Sequence, residues 1–275
     1  MDAENVRIYG LPPYNTAVIH GGPGAAGEMA PVARELAKDG GVLEPLQTGL
    51  SVAAQANELG HVLQTHGDGP VALVGHSWGA WLALLTAARF PDVVAKVILV
   101  SSGPFREADA ATIMPTRLSR LDPSQQRQVH NLMVELAATD DTPKGAPLAA
   151  FGALMAKADA VDPLPAAPGD GVACREDIFR SVWPEAHALR KSGELLDVAA
   201  KVRCPVVALH GADDPHPFRG VAEPLAALWP DFRLVLLPSC GHTPWLERQA
   251  RERFFVALRQ ELAGAAARKH EALHG

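Results

Sequence analysis

Five short stretches of the chain, 16–20, 71–74, 97–100, 206–210 and 234–237, are apolar almost throughout. A strand covered on one face alternates apolar and polar side chains; one covered on both faces does not. These five runs therefore predict buried strands of a parallel sheet. Between them lie amphipathic stretches of helical length, at about 28–38, 51–66, 79–89, 219–229 and 247–263. Strand–helix alternation predicts an α/β fold, a mostly parallel doubly wound sheet with right-handed crossovers. The rhythm breaks between 105 and 195. That segment holds helical stretches such as 123–138 and no convincing strand. Its middle, 139–173, is rich in Ala, Pro, Gly and Asp, which predicts irregular, mobile chain. The expected organisation is a core of 1–104 and 196–275, with 105–195 a helical cap inserted over one end of the sheet. Only some fifteen residues precede the first clear strand, so the N-terminal part is expected to be short.

Composition narrows the classes. A chain of 275 residues can bury one large core. Its net charge of −6 and the lack of a basic cluster argue against nucleic acid as a partner. No apolar run approaches the ~20 residues needed to span a bilayer, so no membrane is expected. The start, Met-Asp-Ala-Glu-Asn-Val-Arg, lacks the basic and apolar regions of a secretory signal. Cys174, Cys204 and Cys240 are scattered and odd in number, which gives no disulfide framework. A cytoplasmic protein with reduced thiols is expected.

The candidate chemistry begins at Gly75-His76-Ser77-Trp78-Gly79, between the apolar run 71–74 and a helical run. Gly-x-Ser-x-Gly in a strand–turn–helix setting is a nucleophile elbow. The turn is so tight that side chains at 75 and 79 would strike the neighbouring strand and helix, and the serine is strained but exposed. After the strand at 206–210 comes Gly211-Ala-Asp213-Asp214, and after that at 234–237 comes Gly241-His242-Thr-Pro-Trp. The chain order is thus serine, acid, histidine. A serine hydroxyl needs an imidazole to take its proton, and the imidazole needs a carboxylate to fix its tautomer. The developing oxyanion needs fixed donors. One is the N–H of Trp78, the residue after the nucleophile. A second is expected from the glycine-rich loop His20-Gly21-Gly22-Pro23-Gly24.

His-Gly-Gly-Pro-Gly, Gly-x-Ser-Trp-Gly, Gly-x-x-Asp and Gly-His-Thr-Pro-Trp, in that order, resemble the α/β-hydrolase superfamily. Within it they resemble the proline iminopeptidase group of serine hydrolases. The resemblance covers about 20–24, 75–104 and 206–247. It implies the α/β-hydrolase fold, Ser77 as nucleophile, Asp214 as acid, His242 as base, and the N–H groups of Gly22 and Trp78 as oxyanion hole. It implies no cofactor and no metal. His210, Asp213, Asp214 and His216 look superficially like ligands, but at no standard metal spacing. His20 is expected to bond its own loop, and His76 to be structural.

The expected reaction is acyl transfer to water through an acyl-enzyme, on a small-molecule or short-peptide substrate. The leading expectation is a small peptide or amide with a free N-terminus. The alternative is a carboxylic-ester hydrolase acting on small hydrophobic esters; a catalytically silent binding homologue is a third reading. Trp81, Phe105 and Trp183 could line an apolar pocket. An aminopeptidase also needs a buried anion for the substrate ammonium. Glu176, Asp177 and Glu185 are candidates, with Glu185 preferred because Trp183-Pro184 suggests a helix start that would aim it.

Overall fold

The computed structural model describes residues 5–138, 144–165 and 173–272. Seven strands form one sheet in the order β1 (Val6–Tyr9), β4 (Gly41–Pro45), β2 (Tyr14–Ile19), β5 (Val71–His76), β6 (Val94–Val100), β8 (Val206–Gly211), β9 (Arg233–Leu237). All pairings are parallel except that of β1 with β4. All five expected strands are present.

The alternation along each strand explains the apolar runs. On β2, Ala17 and Ile19 face one cluster and Val18 faces the other, and all three are fully buried. The first cluster lies under α2 (Val52–His66), α3 (Trp78–Arg89) and α9 (Glu194–Ala199). The second lies under α1 (Ala30–Leu36) and α11 (Arg251–Ala272). Helix α3 is buried on nearly every side, from Trp78 through Ala87, as expected of an all-apolar helix between sheet and helices. Helix α2 starts at Ser51, whose hydroxyl accepts the Ala54 N–H at 3.1 Å.

Two strands escaped the pattern. β1 supplies the N-terminal edge, and β4 carries Glu44 in the middle of its apolar residues. Glu44 is nevertheless fully buried, because the Tyr9 hydroxyl donates to its Oε2 at 2.6 Å and Arg7 lies 3.6 Å away. Burial and that bond push the Tyr9 phenol up to about 12.

Between β6 and β8 the chain forms α4 (Glu107–Ala110), α5 (Ile113–Ser119), α6 (Pro123–Ala137), α7 (Gly145–Asp159), α8 (Glu176–Ser192) and then α9. Of the stretch 139–173 expected to be irregular, 139–143 and 166–172 lie outside the described residues. Part of the remainder is helix α7. Its Leu148, Leu154, Met155 and Ala158 are buried at helical spacing, and the last three pack with Val129 and Leu132 of α6 in a separate small cluster. The segment also contains a strand the sequence did not suggest: β7 (Ala173–Cys174) pairs antiparallel with β3 (Ala25–Ala26). Helix α10 (Arg219–Leu228) follows β8.

Registry brings the functional loops together. His76 pairs with Val100, Val100 with Leu209, and Gly211 with Leu237. The loops after β5, β8 and β9 therefore leave the same edge of the sheet, where open α/β sheets carry their sites.

Candidate active site

Ser77 is the residue between β5 and α3. Its φ is +51°, a left-handed conformation costly for a side-chain-bearing residue. The surroundings impose it. The Ser77 N–H donates to the Val100 carbonyl at 3.0 Å, and the Ser77 carbonyl accepts the Ala80 N–H at 3.1 Å. A Cβ on Gly75 would enter the Gly79 carbonyl, and one on Gly79 would enter the carbonyls of Ile19 and His20. Both positions of the elbow must be glycine for the steric reason expected.

Asp214 and His242 meet on the neighbouring loops, and the His242 carbonyl lies 2.9 Å from Nε2 of His76, the residue before Ser77. His242 Nδ1 donates to Asp214 Oδ2 at 2.8 Å, with both residues buried. Asp213 is exposed, and its carbonyl accepts from Arg120 at 2.6 Å. Burial alone would raise the Asp214 carboxyl, but the His242 and His216 imidazoles hold it well below the usual carboxylate range. Burial alone would lower His242, yet the Asp214 charge and hydrogen bond raise it above the ordinary histidine value.

The glycine loop lies against the serine: a Cβ on Gly21 would stand 3.1 Å from Ser77 Cβ and 2.7 Å from Glu28 Oε2. Gly22 has φ +26° and is exposed on this loop. The Gly21 N–H is taken by Glu28 Oε2 at 2.6 Å. His20 contacts the Gly21 and Leu46 carbonyls at 2.9 and 3.1 Å, its own loop among them.

Trp81, Phe105 and Trp183 do come together. The Trp81 and Trp183 rings are parallel with centroids 6.5 Å apart, and Phe105 lies 6.4 Å from Trp81. Phe105 is fully buried, whereas Trp183 is 36% exposed. Trp81 Nε1 donates to the Gly103 carbonyl at 3.1 Å, and Arg190 stands 5.7 Å over its ring. The reasoning behind Glu185 needs correction. Pro184 lies inside α8 rather than at its start. The Glu185 carboxylate instead accepts the Val52 N–H at 2.8 Å, closing the first turn of α2, where unpaired N–H groups attract anions.

A model of the alpha/beta hydrolase family matches residues 18–257. The chain belongs to the alpha/beta hydrolase family. Among curated hydrolases, it is 27% identical over 211 residues to the pimeloyl-[acyl-carrier protein] methyl ester esterase of Chromobacterium violaceum, covering 75% of this chain and 76% of that one. It is 35% identical over 81 residues to the lipase LipV of Mycobacterium tuberculosis, and 29% over 79 residues to 2-(acetamidomethylene)succinate hydrolase of Mesorhizobium japonicum. These two matches span only 31% and 28% of the relatives' lengths. In fold, it is similar to VinJ, with TM-score 0.69 and 22% identity over 94% of each chain. The proline iminopeptidase of Mycobacterium smegmatis has TM-score 0.62 and 18% identity, also over 94% of each.

Around Ser77, Asp214 and His242 stand residues to which the sequence assigns no part in the reaction: His216 looks only superficially like a metal ligand, and Asp159 and Glu247 belong to no motif. His216 stacks on His242 with centroids 4.2 Å apart and planes at 24°. Its Nδ1 is 3.0 Å, and its backbone N–H 2.8 Å, from Asp214 Oδ1. Burial and the neighbouring His242 push it down to about 4, with Asp214 opposing. Asp214, His216 and His242 have ligand-type atoms within 4.8 Å of one another, but both Nδ1 atoms face the carboxylate as hydrogen-bond donors. Asp159, joined to Arg117 by two bonds of 2.6 Å, accepts the His242 N–H through its carbonyl at 3.0 Å. The fully buried Glu247 accepts N–H bonds from Gly241, Val161 and Asp162 at 2.8–3.0 Å. None of these contacts follows a short motif. Those of Asp159 with His242 and of Glu247 with Val161 and Asp162 join loops more than 80 residues apart, so only the fold displays them. A cavity of about 370 Å³ opens at the opposite strand ends, beside Thr16, Pro70, Ala72 and Arg259, away from the triad.

Proposed function

We propose that this chain is a serine hydrolase that cleaves small apolar carboxylic esters through an acyl-enzyme. The observation carrying the mechanism is the 2.8 Å bond from His242 Nδ1 to Asp214 beside a serine held at φ +51°. Ser77 Oγ attacks the ester carbonyl while His242 Nε2 takes its proton. Asp214 accepts the Nδ1 hydrogen and stabilises the imidazolium. The tetrahedral oxyanion is held by the Gly22 and Trp78 N–H groups; with the Gly21 N–H occupied by Glu28, Gly22 is the next donor of its loop. His242 returns the proton to the leaving alcohol. Water then attacks the acyl-serine by the same route. The segment 105–195 serves as a cap over the site, with Trp81, Phe105 and Trp183 as its apolar wall.

Ester is preferred to peptide because the candidate anions are engaged elsewhere. Glu176 accepts from Arg180 at 3.3 Å, Asp177 pairs with Arg175 at 2.6 Å, and Glu185 caps α2. An ammonium site needs a carboxylate free to face it. The esterase relative, matched over about three quarters of each chain, supports the same choice. A free-N-terminus peptide remains the second reading, favoured by His-Gly-Gly-Pro-Gly and Gly-x-Ser-Trp-Gly. A panel of nitrophenyl esters of rising chain length and aminoacyl-naphthylamides decides between them. The ester reading expects higher kcat/KM on the esters. Faster turnover of the naphthylamides would reverse the assignment.

A further inference from the structure

Glu28 and His76 form a pair to which neither the motifs nor the triad assign a part. His76, the last residue of β5, has only 1% of its side chain exposed. Its Nδ1 lies 3.0 Å from Glu28 Oε2, and its Nε2 lies 2.9 Å from the His242 carbonyl. The same Glu28 oxygen accepts the Gly21 N–H at 2.6 Å. The His76 ring packs 4.7 Å from the His242 ring and edge-on, at 4.7 Å, to Trp245. Thus one short chain of bonds touches three catalytic loops: the glycine loop at Gly21, the residue before Ser77, and the backbone of His242.

Both ring nitrogens face acceptors, a carboxylate oxygen and a carbonyl oxygen. The ring is thus committed on one side to Glu28 and on the other to the His242 loop. Burial alone would raise the Glu28 carboxyl, but His76 and the Gly21 N–H pull it down to about 2. His20, the other titratable group acting on Glu28, pulls the same way. Polar groups taken this far out of water are costly unless their hydrogen bonds are filled, and here each bond ends on a catalytic loop.

We propose that Glu28 and His76 are positioning residues, a hydrogen-bonded pair that locks the oxyanion loop and the His242 loop to the nucleophile elbow in one fixed geometry. The inference rests on the serine-hydrolase reading above. It makes a specific demand of Glu28→Gln. One carboxylate oxygen, Oε2, meets both the Gly21 N–H and His76 Nδ1. An amide that turns its oxygen to this place is a weaker acceptor than a carboxylate. One that turns its nitrogen there can donate to Nδ1 but loses the Gly21 N–H. One link weakens or fails in either case. Misplacing a reacting group by about 1 Å costs roughly 10²-fold.

The test uses full-length wild type, Glu28→Gln and His76→Gln, with a nitrophenyl ester and a fluorophosphonate, each below its own melting temperature. The expected result is a kcat lower by roughly 10- to 100-fold, a KM within about threefold of wild type, and slowed phosphonylation of Ser77. A purely structural pair would lower Tm without moving kcat, and that outcome overturns the proposal. So does a KM that rises as kcat holds. If Glu28→Gln does not fold, His76→Gln is read by the same criteria. Wild type that resists the fluorophosphonate removes the hydrolase reading and the pair's role with it; labelled wild type beside unaffected variants removes the pair's role alone.

Discussion

The two halves of the catalytic edge are built differently. The elbow stands on β5, β6 and α3, where contacts are apolar and near complete: Leu73, Val74, Leu82, Leu99 and Val100 are 0% exposed. The segment between β6 and β8 joins the main core through Phe105, Ile178, Val182 and Ala186, but its α6–α7 part has its own small cluster around Leu132 and Met155. Arg117–Asp159 and Arg120–Ala158 brace that part internally. It meets the loops after β8 and β9 through polar bonds: Arg120 reaches the Asp213 carbonyl, the Asp159 carbonyl accepts the His242 N–H, and Glu247 collects N–H groups from both sides. Close-packed apolar contact has one best geometry. A hydrogen bond contributes modestly on net because it replaces bonds to water. The difference teaches that Ser77 is held by close apolar packing, whereas the joint between the α6–α7 part and the His242 loop is held by directed polar bonds.

Breaking the rigid half has the largest expected effect. Ser77→Ala should lower kcat by roughly 10⁴-fold or more while the thermal unfolding curve stays in place. Near wild-type turnover in the purified variant would dismiss the mechanism. Next come the paired carboxylates: Asp214→Asn should lose roughly 10³- to 10⁴-fold in kcat/KM and Asp213→Asn little, since only Asp214 reaches His242. The reverse ranking would exchange their roles.

A pair of truncations tests the packing contrast itself. Leu82→Ala in α3 should cost about 2–5 kcal/mol of unfolding free energy. Leu132→Ala, 9% exposed in the small cluster, should cost about 2 kcal/mol, near the low end of that range. Denaturant titrations with equal losses would erase the distinction. The smallest effect is graded by pH. His242 must be neutral to accept a proton, and its raised value places the acid limb of kcat/KM at or above the ordinary histidine value of about 6.5. Activity should fall about tenfold per pH unit below that limb. A profile flat down to about pH 5 would contradict His242 as base.

What the sequence revealed divides along the same line. Ser77 and Asp214 follow strands buried at every residue, and His242 follows the half-exposed edge strand β9, whose run of Leu and Val still marks it. The glycines of the elbow are forced by backbone contact and appear as a motif. β4 stayed hidden because Glu44 interrupts its run, and the Tyr9 hydroxyl that makes its burial tolerable lies 35 residues away. Helix α7 stayed hidden because alanine and glycine dilute its periodicity. Pro184 read as a helix start, yet α8 carries it in the interior. Glu28 gave no signal, since its meaning comes from loops that only folding joins, and His216 was legible only as a superficial ligand, since its stacking on His242 needs the loop after β9.

The stacking of His216 on one side of His242, with His76 against it at 4.7 Å, has a further consequence. An imidazole walled in this way cannot rotate freely or present its Nδ1 side to solvent. The hydrogen between His242 and Asp214 should therefore trade with bulk water slowly, as a long-lived low-field proton resonance. Nε2 is then the one nitrogen left to exchange, and in the proposed reaction every proton His242 handles enters and leaves there.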